Sequence, residues 1–377
     1  SSVIDISLMF TGAFVFNHDI SDWDVSSVTN MDYMFYGHDY TDLSDDNKCA
    51  IHTSFSSNDN WEYDWDEYCP GEECDLVPYG DCSGIDLSGQ NLSGMNLTGI
   101  DFSYTNLTQA NLTDTDLESA NLTNASLVRA QLQNAILSYA NLTNANLGYA
   151  DIYGANMYNA YMNNAYLGYV NASNIYTSFY GSDLTGANFE YANLPYTTFK
   201  YAKLVDASFY NAILTPLSST QQFFRADLTS ANFREANLTN VWFWDAELNY
   251  TSFYAADLTD ASFYQSDYLI NADFRYADLT RASLNHVDHL TDANFYRAVL
   301  TDAWFLGSDL QGADLSYTQA SGIILRDADL TGVDLELANL EYSDLRRANL
   351  TNADCQMASF SYSNLNDTVL VLSLIHI

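Results

Sequence analysis

Four cysteines lie close together in the first part of the chain, and their chemistry is the most constrained in the sequence. They are Cys49, Cys69, Cys74 and Cys82, whereas Cys355 stands alone far downstream. An even cluster of this kind indicates two disulfides, and we favour pairing of sequence neighbours, Cys49 with Cys69 and Cys74 with Cys82. Zinc is the alternative, but gaps of 20, 5 and 8 residues match no common zinc module. Disulfides would indicate an oxidising compartment.

Acidic residues recur at intervals of 20 and could bind a hard cation if the fold stacks them. Asp314, Asp334 and Asp354 form one set, the Asp314 column, and Asp227, Glu247 and Asp267 form the Asp227 column. Stacked carboxylates repel one another, and Ca²⁺ between them would remove that repulsion. Screening by solvent and salt would also make such columns tolerable. A calcium site and a solvated acidic face therefore both stay open, and no other cofactor is expected.

Trp242, Trp244 and Tyr264 are candidates for a binding surface. The two tryptophans flank Phe243, and Tyr264 follows Trp244 by 20 residues. If Phe243 points inward, both tryptophans point outward, and exposed Trp and Tyr side by side are typical of sugar or protein contact sites. Packing beneath a loop at 215–222 is the alternative explanation of these aromatic residues.

Composition excludes several classes of function. The 377 residues include 49 Asp and Glu against 12 Lys and Arg, a net charge of −37, which excludes nucleic-acid binding by phosphate neutralisation. The sequence contains no Gly-rich phosphate loop, no Gly-x-Ser-x-Gly elbow and no His-Glu-x-x-His pair. No apolar run approaches the roughly 20 residues that span a bilayer. We predict a protein without enzymatic activity and, in this chain, without a membrane span.

A five-residue repeat positions most of these residues. From Leu87 to Leu167 every fifth residue is Leu, Phe, Ile or Met, and small residues stand two positions earlier, as in Ala110-Asn111-Leu112-Thr113. A period of five fits neither a helix nor a flat strand. It fits pentads that each form one side of a four-sided coil, with the central residue and the small residue inward.

The segment 83–371 resembles the pentapeptide-repeat family throughout. This resemblance implies an all-β fold, a right-handed quadrilateral β-helix, with coils of four pentads stacked at about 4.8 Å. The register must shift where residues bulge from corners, and the largest shift carries Pro216, which predicts a projecting loop at 215–222. The four shifts are expected at 167 to 179, 214 to 228, 268 to 274 and 284 to 290.

A different repeat precedes the pentads. Ser1-Ser2-Val3 aligns with Ser26-Ser27-Val28 at a period of 25, so the chain is expected to begin inside a repeat. Residues 1–69 resemble the end of a BspA-type leucine-rich surface-protein array, also called domain of unknown function 285, with its closing cap. Residues 70–82 would be an acidic linker that contains cysteines, and 372–377 resemble a sequencing-adapter scar.

Together the two resemblances imply a non-enzymatic bacterial protein that is secreted or held at the cell surface. Its acidic, Tyr-rich rod would serve adhesion or recognition, with a protein or glycan surface as partner. The alternative is an intracellular protein that mimics duplex DNA and binds a type II topoisomerase, as some pentapeptide-repeat proteins do. The acidity is poorly placed for such a mimic, because 18 of the 49 acidic residues lie in residues 1–82.

Overall fold

The computed structural model divides the chain into two compact units, Ser1–Cys74 and Asp75–Ile377. Its described residues include the helix α1 (Asp45–Phe55) and two short paired strands, β1 (Thr177–Ser178) and β2 (Thr197–Thr198). No helix in the described part of the chain has the length and apolarity of a membrane span. The structure describes residues 3–13, 16–36, 43–63, 65, 74–172, 176–216, 222–266, 268–371 and 373.

The first unit contains a turn-rich repeat that packs with α1. Asp5 and Asn30 form a parallel bridge, which joins residues 25 apart as the repeat period predicts. The core includes Met31, Met34 and Phe35, and Phe55 of α1 is buried in the same cluster. The expectation of a small irregular repeat and cap domain did not include a helix in this unit, where Ser44 caps α1 by accepting the N–H of Asn47 at 3.3 Å.

The second unit is a stack of coils, each built from four pentads. Parallel bridges join residues 20 apart, such as Asn91 with Asn111 and Asn121 with Asn141. Each pentad turns after its central residue, as where the N–H of Ala110 donates to the carbonyl of Leu107 at 3.0 Å. The third residue of that turn, Gln109, has a φ of 60°, as in a type II turn. The fold is thus a ladder of short bridges with few continuous strands.

The interior of the second unit holds the residues that the five-residue period places inward. Leu127 is fully buried and Val128 is half-buried, which confirms the predicted orientation of this pentad. Between Phe179 and Phe295 two of the four sides contribute columns of phenylalanine, whose rings stack nearly parallel from coil to coil. Phe179 and Phe189 meet edge-on at 5.6 Å, since pentads two apart face each other across the core.

One predicted register shift lies in the wrong place. The shift occurs between Phe263 and Leu269, because Leu269 is buried whereas Tyr268 is 46% exposed. A leucine fits the interior without leaving a hydroxyl group unpaired, which a tyrosine would do. In the predicted loop at 215–222, residues 217–221 lie outside the described part, and the buried Gln222 donates its side-chain N–H to the carbonyl of Leu214 at 2.8 Å.

Candidate functional site

The pentad turn determines which side chains face solvent. After each inward central residue come two turn residues, and the second of them adopts a positive φ. Asn, Asp and Gly tolerate this conformation best, and other residues lose about 1–2 kcal/mol there. Tyrosine nevertheless occupies the second turn position in several coils, with φ between 58° and 61° at Tyr139, Tyr169 and Tyr201. Ring contacts between coils help to offset this local cost.

Seven aromatic rings form a continuous row along one side of the coils, which we call the aromatic row. Six successive contacts join them, with ring centroids 5.1 to 5.9 Å apart. Every ring in the row is exposed or half-buried. The members are Tyr139, Tyr158, Tyr180, Tyr201, Phe224, Trp244 and Tyr264.

Two of the three candidate binding residues belong to this row. Trp244 contacts Phe224 and Tyr264 edge-on, each at 5.9 Å, and its Nε1 donates to Gln265 Oε1 at 2.6 Å. Tyr264 is 41% exposed, whereas Trp244 is half-buried. Trp242 precedes the inward Phe243, forms its bridge with Ser262, and lies on the other side of that pentad's centre. The structure thus brings Trp244 and Tyr264 together and places Trp242 in a neighbouring column.

A shorter row lies on the opposite side of the coils, and we call it the tyrosine row. Its members are Tyr149, Tyr169, Tyr191 and Tyr210. The first three rings stack almost parallel, at 4.6 and 4.8 Å with interplanar angles of 7° and 11°. At its far end the hydroxyl of Tyr210 donates to Glu235 Oε2 at 3.0 Å. The first three rings therefore cover one another's faces, whereas Tyr210 meets Tyr191 edge-on at 5.5 Å.

A polar groove of about 600 Å³ adjoins the end of the aromatic row. Arg225 donates to Asp245 Oδ2 at 2.6 Å and lies over the ring of Phe224, 5.1 Å from its centroid. The groove therefore combines charged side chains, one amide group and an aromatic wall. Its lining consists of Arg225, Asp245, Tyr264, Gln265, His286 and Asp288.

The two acidic columns differ from each other. Asp314, Asp334 and Asp354 pair coil to coil, and each accepts the N–H two residues further on, at 2.9, 2.8 and 3.0 Å. One oxygen of each carboxylate is thus used by the backbone. In the Asp227 column, Glu247 pairs with Tyr268 because of the register shift, and Asp267 lies outside the described residues. Among the described residues, no cluster of three potential ligands could hold a metal ion.

Arginine neutralises several other carboxylates of the second unit. Arg347 forms two hydrogen bonds of 2.6 Å with Asp327, and this contact lowers the pKa of Asp327 below its usual value. Arg281 binds Asp260 in the same way, at 2.7 and 2.6 Å, and lowers the pKa of Asp260. Part of the negative charge of the second unit is therefore neutralised locally by arginine side chains.

Comparison with known proteins identifies both repeats. The family profile of pentapeptide repeats matches in eight copies, at 81–118, 100–138, 125–164, 140–174, 177–215, 226–265, 293–332 and 328–367. The chain is a pentapeptide-repeat protein. Residues 1–56 match a second family, described as "Mycoplasma protein of unknown function, DUF285". Comparison with curated proteins gave no match.

Solved structures similar to this pentapeptide-repeat protein belong to the same family. HetL of the cyanobacterium Nostoc sp. strain PCC 7120 is 29% identical over 67% of this chain and 90% of its own, with a TM-score of 0.27. A protein of the Arabidopsis thaliana thylakoid lumen is 28% identical over 32% and 69%, with a TM-score of 0.22. QnrB1, a plasmid-mediated fluoroquinolone resistance protein, is 17% identical over 66% and 88%, with a TM-score of 0.19. None of these similarities carries an argument about function.

The cysteines of this pentapeptide-repeat protein follow the predicted pattern where they are described. Cys74 and Cys82 form the predicted disulfide. Cys49 is also disulfide-bonded, and its predicted partner Cys69 lies outside the described residues. Cys355 is a buried free thiol, and burial raises its pKa to about 11.

Sequence reasoning missed five members of the aromatic row, from Tyr139 to Phe224. Stacking was expected only at intervals of 20, whereas this row uses both outward turn positions and crosses two register shifts. Its intervals therefore range from 19 to 23 residues. A search of both turn positions in every coil would have found it.

Proposed function

We propose that this pentapeptide-repeat protein is a non-enzymatic, secreted or cell-surface protein of a bacterium, which serves adhesion or recognition. Its pentad unit would be the right-handed quadrilateral β-helix of the family, a rigid scaffold for an acidic, Tyr-rich surface. The observation that carries the proposal is the aromatic row. Seven rings in a continuous row expose a contiguous apolar strip to solvent, although the core of the unit is already filled by Leu and Phe. Contiguous exposed apolar surface of this kind is typical of interaction sites.

The proposed extracellular or cell-surface localisation is supported by the cysteines and by the first unit. Disulfides persist in oxidising compartments, and three of the five cysteines are disulfide-bonded in the described residues. The match of residues 1–56 to DUF285 agrees with the resemblance of this segment to BspA-type surface repeats. A surface address would place the second unit where it can meet partners outside the cell.

Binding to a type II topoisomerase by DNA mimicry is the second candidate function, and the net charge of −37 favours it. Such binding depends on uncompensated charge along the coils. Bidentate arginine contacts at Asp260 and Asp327 reduce that charge, and 18 of the 49 acidic residues precede the pentad unit's first full coil. Recognition through aromatic contacts therefore has the stronger support.

The test compares two tryptophans that are two residues apart. Trp244→Ala shortens the aromatic row, whereas Trp242→Ala removes a ring of the same size outside it. Binding of the full chain would be measured against immobilised polysaccharides and host-surface extracts, with purified DNA gyrase as the comparison. We expect Trp244→Ala to weaken surface binding by about 2–4 kcal/mol, as for a hot-spot residue, and Trp242→Ala to change it much less.

Gyrase inhibition that both variants leave intact, without surface binding by the wild type, would contradict the proposal. Melting temperatures of both variants serve as the folding control. An equal loss of surface binding in both variants, with the fold intact, would mean that the recognition surface extends to Trp242 and is not limited to the row.

A further inference from the structure

We propose that the aromatic row is a binding strip for an extended, neutral polysaccharide that lies along the axis of the coils. This inference rests on the proposed recognition function and specifies its ligand. It concerns the whole row from Tyr139 to Tyr264, and not only the tryptophan pair that the sequence suggests.

The repeat distance of the row is the first argument. One ring from each coil contributes to it, and successive centroids are 5.1 to 5.9 Å apart. An extended glycan with (1→4) linkages repeats its sugar rings at a similar interval. Each pyranose presents an apolar C–H face that packs on an aromatic ring. A straight glycan chain can therefore contact ring after ring without bending.

The orientation of the rings is the second argument, and it separates this row from the tyrosine row. In the tyrosine row the first three rings stack within 11° of parallel, so their faces are covered by one another. In the aromatic row, Tyr201 is perpendicular to Phe224, and Trp244 is tilted by 74° and 67° to its neighbours. A ring perpendicular to its neighbour keeps a face that the neighbour does not cover. Apart from the Tyr158–Tyr180 contact, which is close to parallel at 16°, the aromatic row therefore offers more free ring face than the tyrosine row.

Polar groups beside the row supply the hydrogen bonds that a sugar requires. The groove next to Trp244 and Tyr264 contains Asp245, Gln265 and His286, which present donors and acceptors to the edge of a sugar ring. Arg225 is held in place by its contact with Asp245 and by the ring of Phe224. Apolar ring faces with polar groups at their edge match the two kinds of surface on a sugar.

Net charge excludes an anionic polymer as the ligand of the row. With 49 acidic and 12 basic residues, the chain repels nucleic acids and anionic glycans at long range. Stacking on single-stranded nucleic acid uses similar rings but requires a basic groove. A neutral glycan is a linear polymer that fits the rings and is not repelled by this charge.

The experiment uses the full chain with soluble oligosaccharides of increasing length from β-(1→4)-glucan, β-(1→4)-mannan and chitin, measured by calorimetry. Affinity for one of these series should rise with length until the oligosaccharide spans the row, and it should then level off. The variant Tyr201→Ala/Phe224→Ala/Trp244→Ala should lose affinity by about tenfold or more. The matched control, Tyr149→Ala/Tyr169→Ala/Tyr191→Ala, removes three rings of the tyrosine row and should retain the wild-type affinity.

A second variant keeps the test decisive if the first one does not fold. Tyr139→Ala/Tyr158→Ala removes the exposed end of the row, far from the groove, and should make affinity level off at a shorter oligosaccharide.

Glycan binding that is unchanged by both row variants would overturn the assignment of the row. Absence of glycan binding, together with binding to surface proteins that Trp244→Ala weakens, would overturn the glycan as ligand and leave the recognition function standing. Gyrase inhibition without surface binding would overturn both.

Discussion

Truncation of Leu127 should measure how strongly a single pentad centre stabilises the coils. Leu127 is fully buried, and its N–H donates to the carbonyl of Asn146 in the next coil at 2.7 Å. Leu→Ala removes the equivalent of three methylene groups, or about 2.4 kcal/mol at about 0.8 kcal/mol for each buried CH₂. The cavity left between coils adds to this, so we expect a total loss of about 2–5 kcal/mol in the free energy of unfolding.

The matched control is Val128→Ala, one residue further along the same pentad. Val128 is half-buried on the outer surface, so its truncation should change the free energy of unfolding by less than about 1 kcal/mol. Urea unfolding of both variants would be followed by far-UV circular dichroism, with the slope checked for a two-state transition. An equal loss in both variants, or a larger loss for Val128→Ala, would refute the inward assignment of the pentad centre.

Three further predictions concern thiols, calcium and acid. Protein from its native compartment should show one alkylatable cysteine after denaturation without reductant and all five with reductant. Cys355 should not react in the folded state at neutral pH, because burial raises its pKa to about 11. Five free thiols without reductant would remove the argument for an extracellular location. Millimolar Ca²⁺, with Mg²⁺ as control, should leave the melting curve unchanged, because the described residues contain no cluster of three potential ligands that could hold a metal ion. A rise in Tm with Ca²⁺ would instead support the calcium site of the Asp314 column. Asp327 has a lowered pKa in the folded state, so its contact with Arg347 stabilises the folded state above the unfolded pKa of about 3.9. This stabilisation is lost as pH falls through the folded pKa. Tm should therefore fall less on acidification in Arg347→Ala than in the wild type, and an identical pH dependence would show that the pair is not formed.

The interior of the second unit could be predicted because the pentad has only one kind of inward position for large residues. A period of five cannot match a helix, so the large and small residues of each pentad had to define one wall of a coil. The insertion before Leu269 could not be placed in the same way, since Tyr268 and Leu269 are both large and adjacent. Leu269 takes the inward position, because the hydroxyl of Tyr268 would lose its contact with solvent there.

The surface was harder to predict than the interior. Either of two turn residues in each pentad can point along the same side of the coils, so a row of contacts need not follow the spacing of bridges. Tyr158 and Tyr180 lie 22 residues apart and still stack at 5.3 Å, with an interplanar angle of 16°. The helix α1 was missed for another reason. The segment resembles the closing part of a repeat array, which gives no reason to expect a helix. Ser44 as the N-cap residue is by itself a weak signal for a helix start.

The salt dependence of partner binding tests the central claim most directly. Contact through an aromatic row depends on apolar area and hydrogen bonds, whereas mimicry of DNA depends on long-range charge. Affinity of the full chain for its surface partner would be measured between about 50 and 500 mM salt, beside supercoiling by DNA gyrase under the same conditions. We predict surface binding that changes by less than about threefold over this range and gyrase activity that is unaffected by the protein. Gyrase inhibition that weakens by about tenfold or more with salt, without salt-resistant surface binding, would contradict it.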